Sequence, residues 1–155
     1  MRRRGGFSLI ELLIVIAIIL ILIPAAIPHF QHAKASAYET GALQAIRTLH
    51  TAEVQYSSQY GRYAKSLSEL GPPESGERGD SASGVIQPDL APGEKGGYKF
   101  TLSGNGASYM IHAEPALCKA TGEHAYYTDE TMILRVSKDC AEATAQSPVY
   151  GMRGK

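Results

Sequence analysis

The sequence predicts an α+β fold: a long N-terminal helix, membrane-spanning over its first half, packs through its second half on an antiparallel sheet of about four strands. Three features of the 155 residues carry that prediction. An almost unbroken apolar run lies near the N-terminus, a stripe of apolar residues at helical spacing follows it, and short alternating segments separated by turn residues begin after position 97. A chain this long has room for one modest domain beside a membrane segment.

The apolar run extends from Phe7 to Ile27, about twenty residues, enough for a helix to cross a bilayer core. Arg2, Arg3 and Arg4 precede it, which keeps the N-terminus cytoplasmic and places the body outside the cytoplasm. Without those three arginines, 12 basic residues face 15 acidic ones, a net charge of −3. A mildly acidic body with no clustered basic surface argues against nucleic acid as a partner.

A secretory signal, a plain anchor and a processed N-terminus all begin with such a run. A signal would be cut after the apolar stretch at a small-x-small site, and the candidates at Ala25 and Ala26 are flanked by Pro24 and Pro28. A plain anchor has no reason to carry Glu11 inside its apolar run, because a charge in hydrocarbon costs several kcal/mol and is usually functional. Each proline also removes an intrahelical hydrogen bond, so Pro24 and Pro28 predict either a kink or a local opening of the helix.

The segment Gly6-Phe7-Ser8-Leu9-Ile10-Glu11, with a short basic leader before it and an uncharged run after it, resembles the processing motif of type IV prepilins and type II secretion pseudopilins. The resemblance covers about 25 residues. It implies a type IV pilin-like fold and cleavage by a prepilin peptidase between Gly6 and Phe7, with Phe7 becoming the methylated N-terminus. It also implies storage in the inner membrane with the C-terminal domain extracytoplasmic. An assembly platform with its ATPase would then draw the chain into a filament of like and minor pilins, a pilus or a periplasmic pseudopilus. Physical chemistry gives Glu11 a role in that step. The new ammonium at Phe7 and the Glu11 carboxylate would both lie in apolar surroundings, where neither is cheap alone, so they should pair within a chain or between neighbours. Proline at position 28 is familiar in the family, whose helix can unwind there in filaments; Pro24 adds a second break.

Past Phe30 the helix turns amphipathic. Tyr38, Ala42, Ile46, Leu49, Glu53, Tyr56 and Tyr60 form the buried stripe, and Lys34, Glu39, Gln44, Arg47 and Gln55 the opposite face. Tyr56, Tyr60 and Tyr63 follow the stripe to Gly61, where the helix should stop, and read as core rather than as a binding strip. Ser66 and Glu69 have the spacing of a capping box for a short following turn. Residues 71–97, rich in Gly, Pro and Ser, form a long loop, either a solvated linker or a partner-facing surface.

Tyr98–Leu102 and Tyr109–Ala113 around Gly104-Asn105-Gly106 predict a hairpin ended by Pro115, with further strands at Ala125–Thr128 and Met132–Val136. Cys118 and Cys140, beyond an export segment, predict one disulfide closing a loop of about 23 residues, the alternative being two buried thiols. Many type IV pilins close a C-terminal region in this way, and type II pseudopilins often do not. Residues 141–155 show no period and predict a mobile tail. The resulting organisation is 1–6 leader, 7–28 anchor and filament core, 29–61 amphipathic helix, 62–97 loop, 98–140 sheet and 141–155 tail.

No catalytic, metal or cofactor site is expected. The five histidines are scattered, no phosphate loop or nucleophile elbow occurs, and Asp129 with Glu130 is too small a set for calcium. The function predicted is structural, as a subunit of a type IV pilus, with a major-type pseudopilin of type II secretion as the near alternative. The alternative of another class is a membrane-anchored binding module that keeps its leader and never polymerises.

Overall fold

The computed structural model describes residues 7–74 and 76–151, with positions 24–29 described in backbone only. A helix α1, Leu9–Tyr60, is followed by one turn of helix α2, Leu67–Leu70, and by strands β1 Glu94–Lys95, β2 Tyr98–Gly104, β3 Tyr109–Pro115, β4 Ala125–Asp129 and β5 Arg135–Ser137. The strands form one antiparallel sheet in sequence order. This is the α+β class read from the sequence, with five strands in place of about four because the two residues of β1 pair with the start of β2. The chain divides into two compact units, residues 1–34 and 35–155.

In the second unit α1 lays Ala42, Ala45, Ile46, Leu49, Ala52 and Tyr56 into the core. These positions recur at steps of three and four, which keeps them on one helix face. Gly61, at φ +70°, ends the helix, its N–H donating to the Ser57 carbonyl at 2.9 Å. Along β2 and β3 burial alternates: Tyr98, Phe100, Leu102, Tyr109, Ile111 and Ala113 face the helix, and Lys99, Thr101 and Ser103 face out. Strand β4 is buried on both faces. Tyr126 and Thr128 pair with the inward Ala113 and Ile111, whereas Ala125 and Tyr127 form a second cluster with Ala143 on the outer side.

Ala143 belongs to the segment expected to be a mobile tail, and it is 1% exposed. Backbone pairing explains the difference: the Val136 N–H donates to Pro148 O and the Tyr150 N–H to Leu134 O, so residues 148–150 lie along β5 as a further short ladder. The loop after α2 also departs from a solvated linker. Ile86 and Leu90 are buried, and Val85 and Ile86 both donate to Leu70 O. The last strand is shorter than predicted, because Asp129 O accepts the Met132 N–H in a turn and Met132 sits at φ +61°, outside strand geometry.

Cys118 and Cys140 are joined, with their Cα atoms 5.8 Å apart. The bridge links the segment after β3 to the segment after β5, and the Cys140 N–H donates to Glu123 O at 2.9 Å. The chain-entropy model gives such a loop about 3 kcal/mol of stabilisation. Replacing both cysteines by serine should therefore lower the stability of the detergent-solubilised chain by about that amount, read as a lower melting temperature that added reductant does not lower further.

Candidate assembly site

The sequence places an acid inside an apolar helix, and the structure shows what surrounds that acid. Helix α1 begins immediately after Ser8, whose carbonyl accepts the Glu11 and Leu12 N–H groups at 3.1 and 3.2 Å. Glu11 therefore stands in the first turn, where the free N–H groups of a helix favour a negative charge by about 0.3–1 kcal/mol at an exposed site. Phe7 lies four residues before it and is 75% exposed.

From Phe7 to Ile23 every large apolar side chain is exposed, from 44% at Ile16 to 76% at Leu9 and Ile21. These fourteen side chains cover all sides of the helix rather than one stripe, and a helix apolar all round is stable only inside lipid or protein. At roughly 1.5 kcal/mol or more for each side chain removed from water, they represent on the order of 20 kcal/mol that one copy in water cannot gain. Surfaces of this kind mark membrane or protein contact.

Gly6 and the residues before it lie outside the described residues. The backbone of helix α1 runs through positions 24 and 28, and the side chains of Pro24 and Pro28 lie outside the described residues. Among the described residues no helix is long and apolar enough to cross a membrane; the span read from the sequence over 7–28 runs into the same undescribed side chains.

The second unit contains three polar clusters that sequence reasoning did not assemble. In the first, Glu69 Oε2 accepts from Arg62 Nη1 at 2.8 Å, from the Tyr56 hydroxyl at 3.0 Å and from the Lys65 N–H at 3.1 Å. Burial pushes the Glu69 carboxyl up, but the donors, Arg62 first among them, outweigh it and hold the group below its ordinary range. The capping box predicted for Ser66 and Glu69 is absent: Ser66 makes no side-chain cap, and Glu69 turns back to Arg62 instead. The guanidinium gives a carboxylate a stronger partner than a single N–H would.

In the second cluster Glu39, assigned to the solvent face, is half-buried, and its Oε1 accepts from the Glu123 N–H, the His124 N–H and His124 Nδ1 at 2.9, 3.3 and 2.9 Å. In the third His50 bridges the helix and the sheet, Nδ1 to the Tyr109 hydroxyl at 2.7 Å and Nε2 to the Thr128 hydroxyl at 3.1 Å. Burial lowers its pKa, with Asp129 opposing. Asp129 itself accepts the Thr131 N–H and hydroxyl on Oδ1, which ties that oxygen to the turn, and its Oδ2 faces the Tyr127 hydroxyl at 3.5 Å. Among the described residues no three His, Cys, Asp or Glu side chains are grouped to hold a metal ion.

Residues 1–23 match the family model described as the prokaryotic N-terminal methylation motif. Over 77 residues the chain is 42% identical to the type IV major pilin protein PilA of Myxococcus xanthus (strain DK1622), a match spanning 49% of this chain and 35% of that relative. The chain thus covers about a third of the relative's length. No solved structure matches significantly.

Proposed function

We propose that this chain, a member of the type IV pilin family, is a structural subunit of a type IV pilus, made as a membrane-stored precursor and polymerised through its N-terminal helix. One observation carries the reading: a methylation motif opens directly into a helix whose large apolar side chains are exposed on every side. Before assembly the bilayer would cover that surface in a single pass, and afterwards neighbouring subunits would cover it.

In this reading prepilin peptidase cuts between Gly6 and Phe7 and methylates Phe7, and the platform ATPase supplies the work of extraction. Glu11 then selects register. Its carboxylate and the new ammonium of Phe7, on the same or a neighbouring chain, satisfy each other inside the filament core, where either charge alone would be costly. Pro24 and Pro28 mark where the helix would open to accommodate packing. The Cys118–Cys140 bridge and the likeness to a major pilin support a pilus over a secretion pseudopilus.

The deciding measurement is mass spectrometry on the chain recovered from the native membrane and from sheared surface filaments. The expected product lacks residues 1–6, begins at an N-methylated Phe7 and is present in both fractions. An intact leader, with the chain confined to the membrane fraction, would instead make it an anchored binding module.

A further inference from the structure

Glu53 lies on the buried stripe of α1, is fully buried and takes no part in the N-terminal surface described above. Its Oε2 accepts the Ala64 N–H at 2.9 Å, and its Oε1 has no hydrogen-bond partner among the described residues. Burying a carboxylate oxygen without a donor is costly enough that such a group normally gives up its charge.

Ala64 belongs to the stretch that leaves the helix after Gly61, and that stretch is held at several points. The Tyr63 N–H donates to Gly106 O, and the Gly104 N–H donates to Lys65 O. A side chain at Gly104 would run into the Ala64 carbonyl, so the hairpin presses directly on the stretch. Farther along, Glu69 Oε2 accepts from Lys65, Arg62 and Tyr56, and the Tyr56 hydroxyl also reaches Asp80 O at 2.6 Å. Two carboxyl groups thus fasten the same segment, Glu69 surrounded by donors and Glu53 with one.

We propose that Glu53 is a proton-operated latch: protonated, it holds the stretch from Arg62 through Leu70 against the helix, and on losing its proton it lets that stretch loosen. The groups facing it are Arg62 after the helix, Glu69 on α2 and Tyr109 on β3, with His50 and Tyr56 one turn away on α1 itself. Of these only Arg62 favours the ionised form, and it is already committed to Glu69 at 2.8 Å.

Burial is the largest influence on Glu53; the Ala64 N–H opposes it and the Glu69 charge adds to it, leaving the carboxyl pushed up to about 7. A carboxyl raised in the folded state binds a proton there that the released state gives up. The latch is therefore strongest at low pH, weakens as pH rises past the ordinary carboxylate value near 4.5, and has lost its protonated form above about 7. Glu69, held low, stays ionised across that window. The segment is then fastened by one neutral and one charged carboxyl.

The test is amide hydrogen exchange on the full chain in detergent, each rate divided by its intrinsic rate at that pH. Opening at the Ala64 amide should rise on the order of tenfold or more between pH 5 and 8.5, with the amides of Ile111 and Ala113 as internal reference. In Glu53→Gln the rise should disappear. A flat profile in the unmodified chain, or an equal rise in the variant, overturns the proposal. If the variant does not fold, carbon NMR of the Glu53 carboxyl in the unmodified chain decides: titration near 7 supports the latch, and titration at the ordinary carboxylate pH overturns it.

Discussion

Cells whose only copy of this chain carries Glu11→Leu are expected to process the precursor normally and to make essentially no filaments. The effect depends on the proposed cut before Phe7, which creates the ammonium. Two energetic changes act in the same direction. In the membrane the variant is more comfortable, because a carboxylate near the hydrocarbon costs up to about 2.5–3.5 kcal/mol and leucine costs nothing. In the filament the Phe7 ammonium loses the proposed partner charge of Glu11, and breaking one side of a buried pair costs about 3–5 kcal/mol. At 1.4 kcal/mol per tenfold, the second change alone weakens each addition on the order of a hundredfold or more. Glu11→Asp keeps the charge on a shorter stem and should retain part of the assembly. The readout is the ratio of chain in sheared filaments to chain in membranes, with mass spectrometry of the N-terminus as the control for processing. Filaments from Glu11→Leu at the unmodified level would remove the pairing role.

The fold was legible where a single period governs burial. The steps of three and four from Ala42 to Tyr56 gave the helix face, and the alternation through Tyr98, Phe100 and Leu102 gave the hairpin, because in both cases one side of the element meets the core. Legibility failed where contacts between distant segments override local pattern. Glu69 has the right distance from Ser66 for a capping box, but Tyr56 on the last turns of α1 and Arg62 just after it take its oxygen. Glu39 points polar by type, yet His124, 85 residues later, brings it a ring nitrogen and a backbone donor. The tail from Ala141 has no period because its described residues are engaged at scattered points, Ala143 in the core, the Ser147 carbonyl with Arg135, the backbone near Val149 and the Tyr150 ring on Tyr126. Of the proposed assembly site, Glu11 stands out in the sequence because a carboxylate there breaks an otherwise apolar run. Glu53 was readable only as a member of the stripe; that one of its oxygens lacks a donor follows from how Ala64 passes beneath it.

Tyr56 carries the second large effect and tests the tyrosine cluster as core. Its ring is fully buried, lies 4.7 Å from the Tyr60 ring centroid and has the Arg62 guanidinium 5.3 Å above its own centroid. The one proton of its hydroxyl is shared between Glu69 and the Asp80 carbonyl, and burial foremost, then the hydrogen bond to Glu69, pushes the phenol up to about 12. Ring and hydroxyl therefore contribute separately. Tyr56→Phe keeps the packing and loses only the hydroxyl, leaving the Asp80 carbonyl without this donor while Glu69 keeps Arg62 and Lys65; it should cost about 1–2 kcal/mol. Tyr56→Ala removes the ring as well and leaves a cavity between α1 and the loop, at about 3–5 kcal/mol. Denaturant unfolding of the two variants in the same detergent measures the difference. A strip serving only as a binding surface would leave both variants near the unmodified stability. Loss in the alanine variant well beyond that in the phenylalanine variant is the outcome that a buried ring under the helix exit requires.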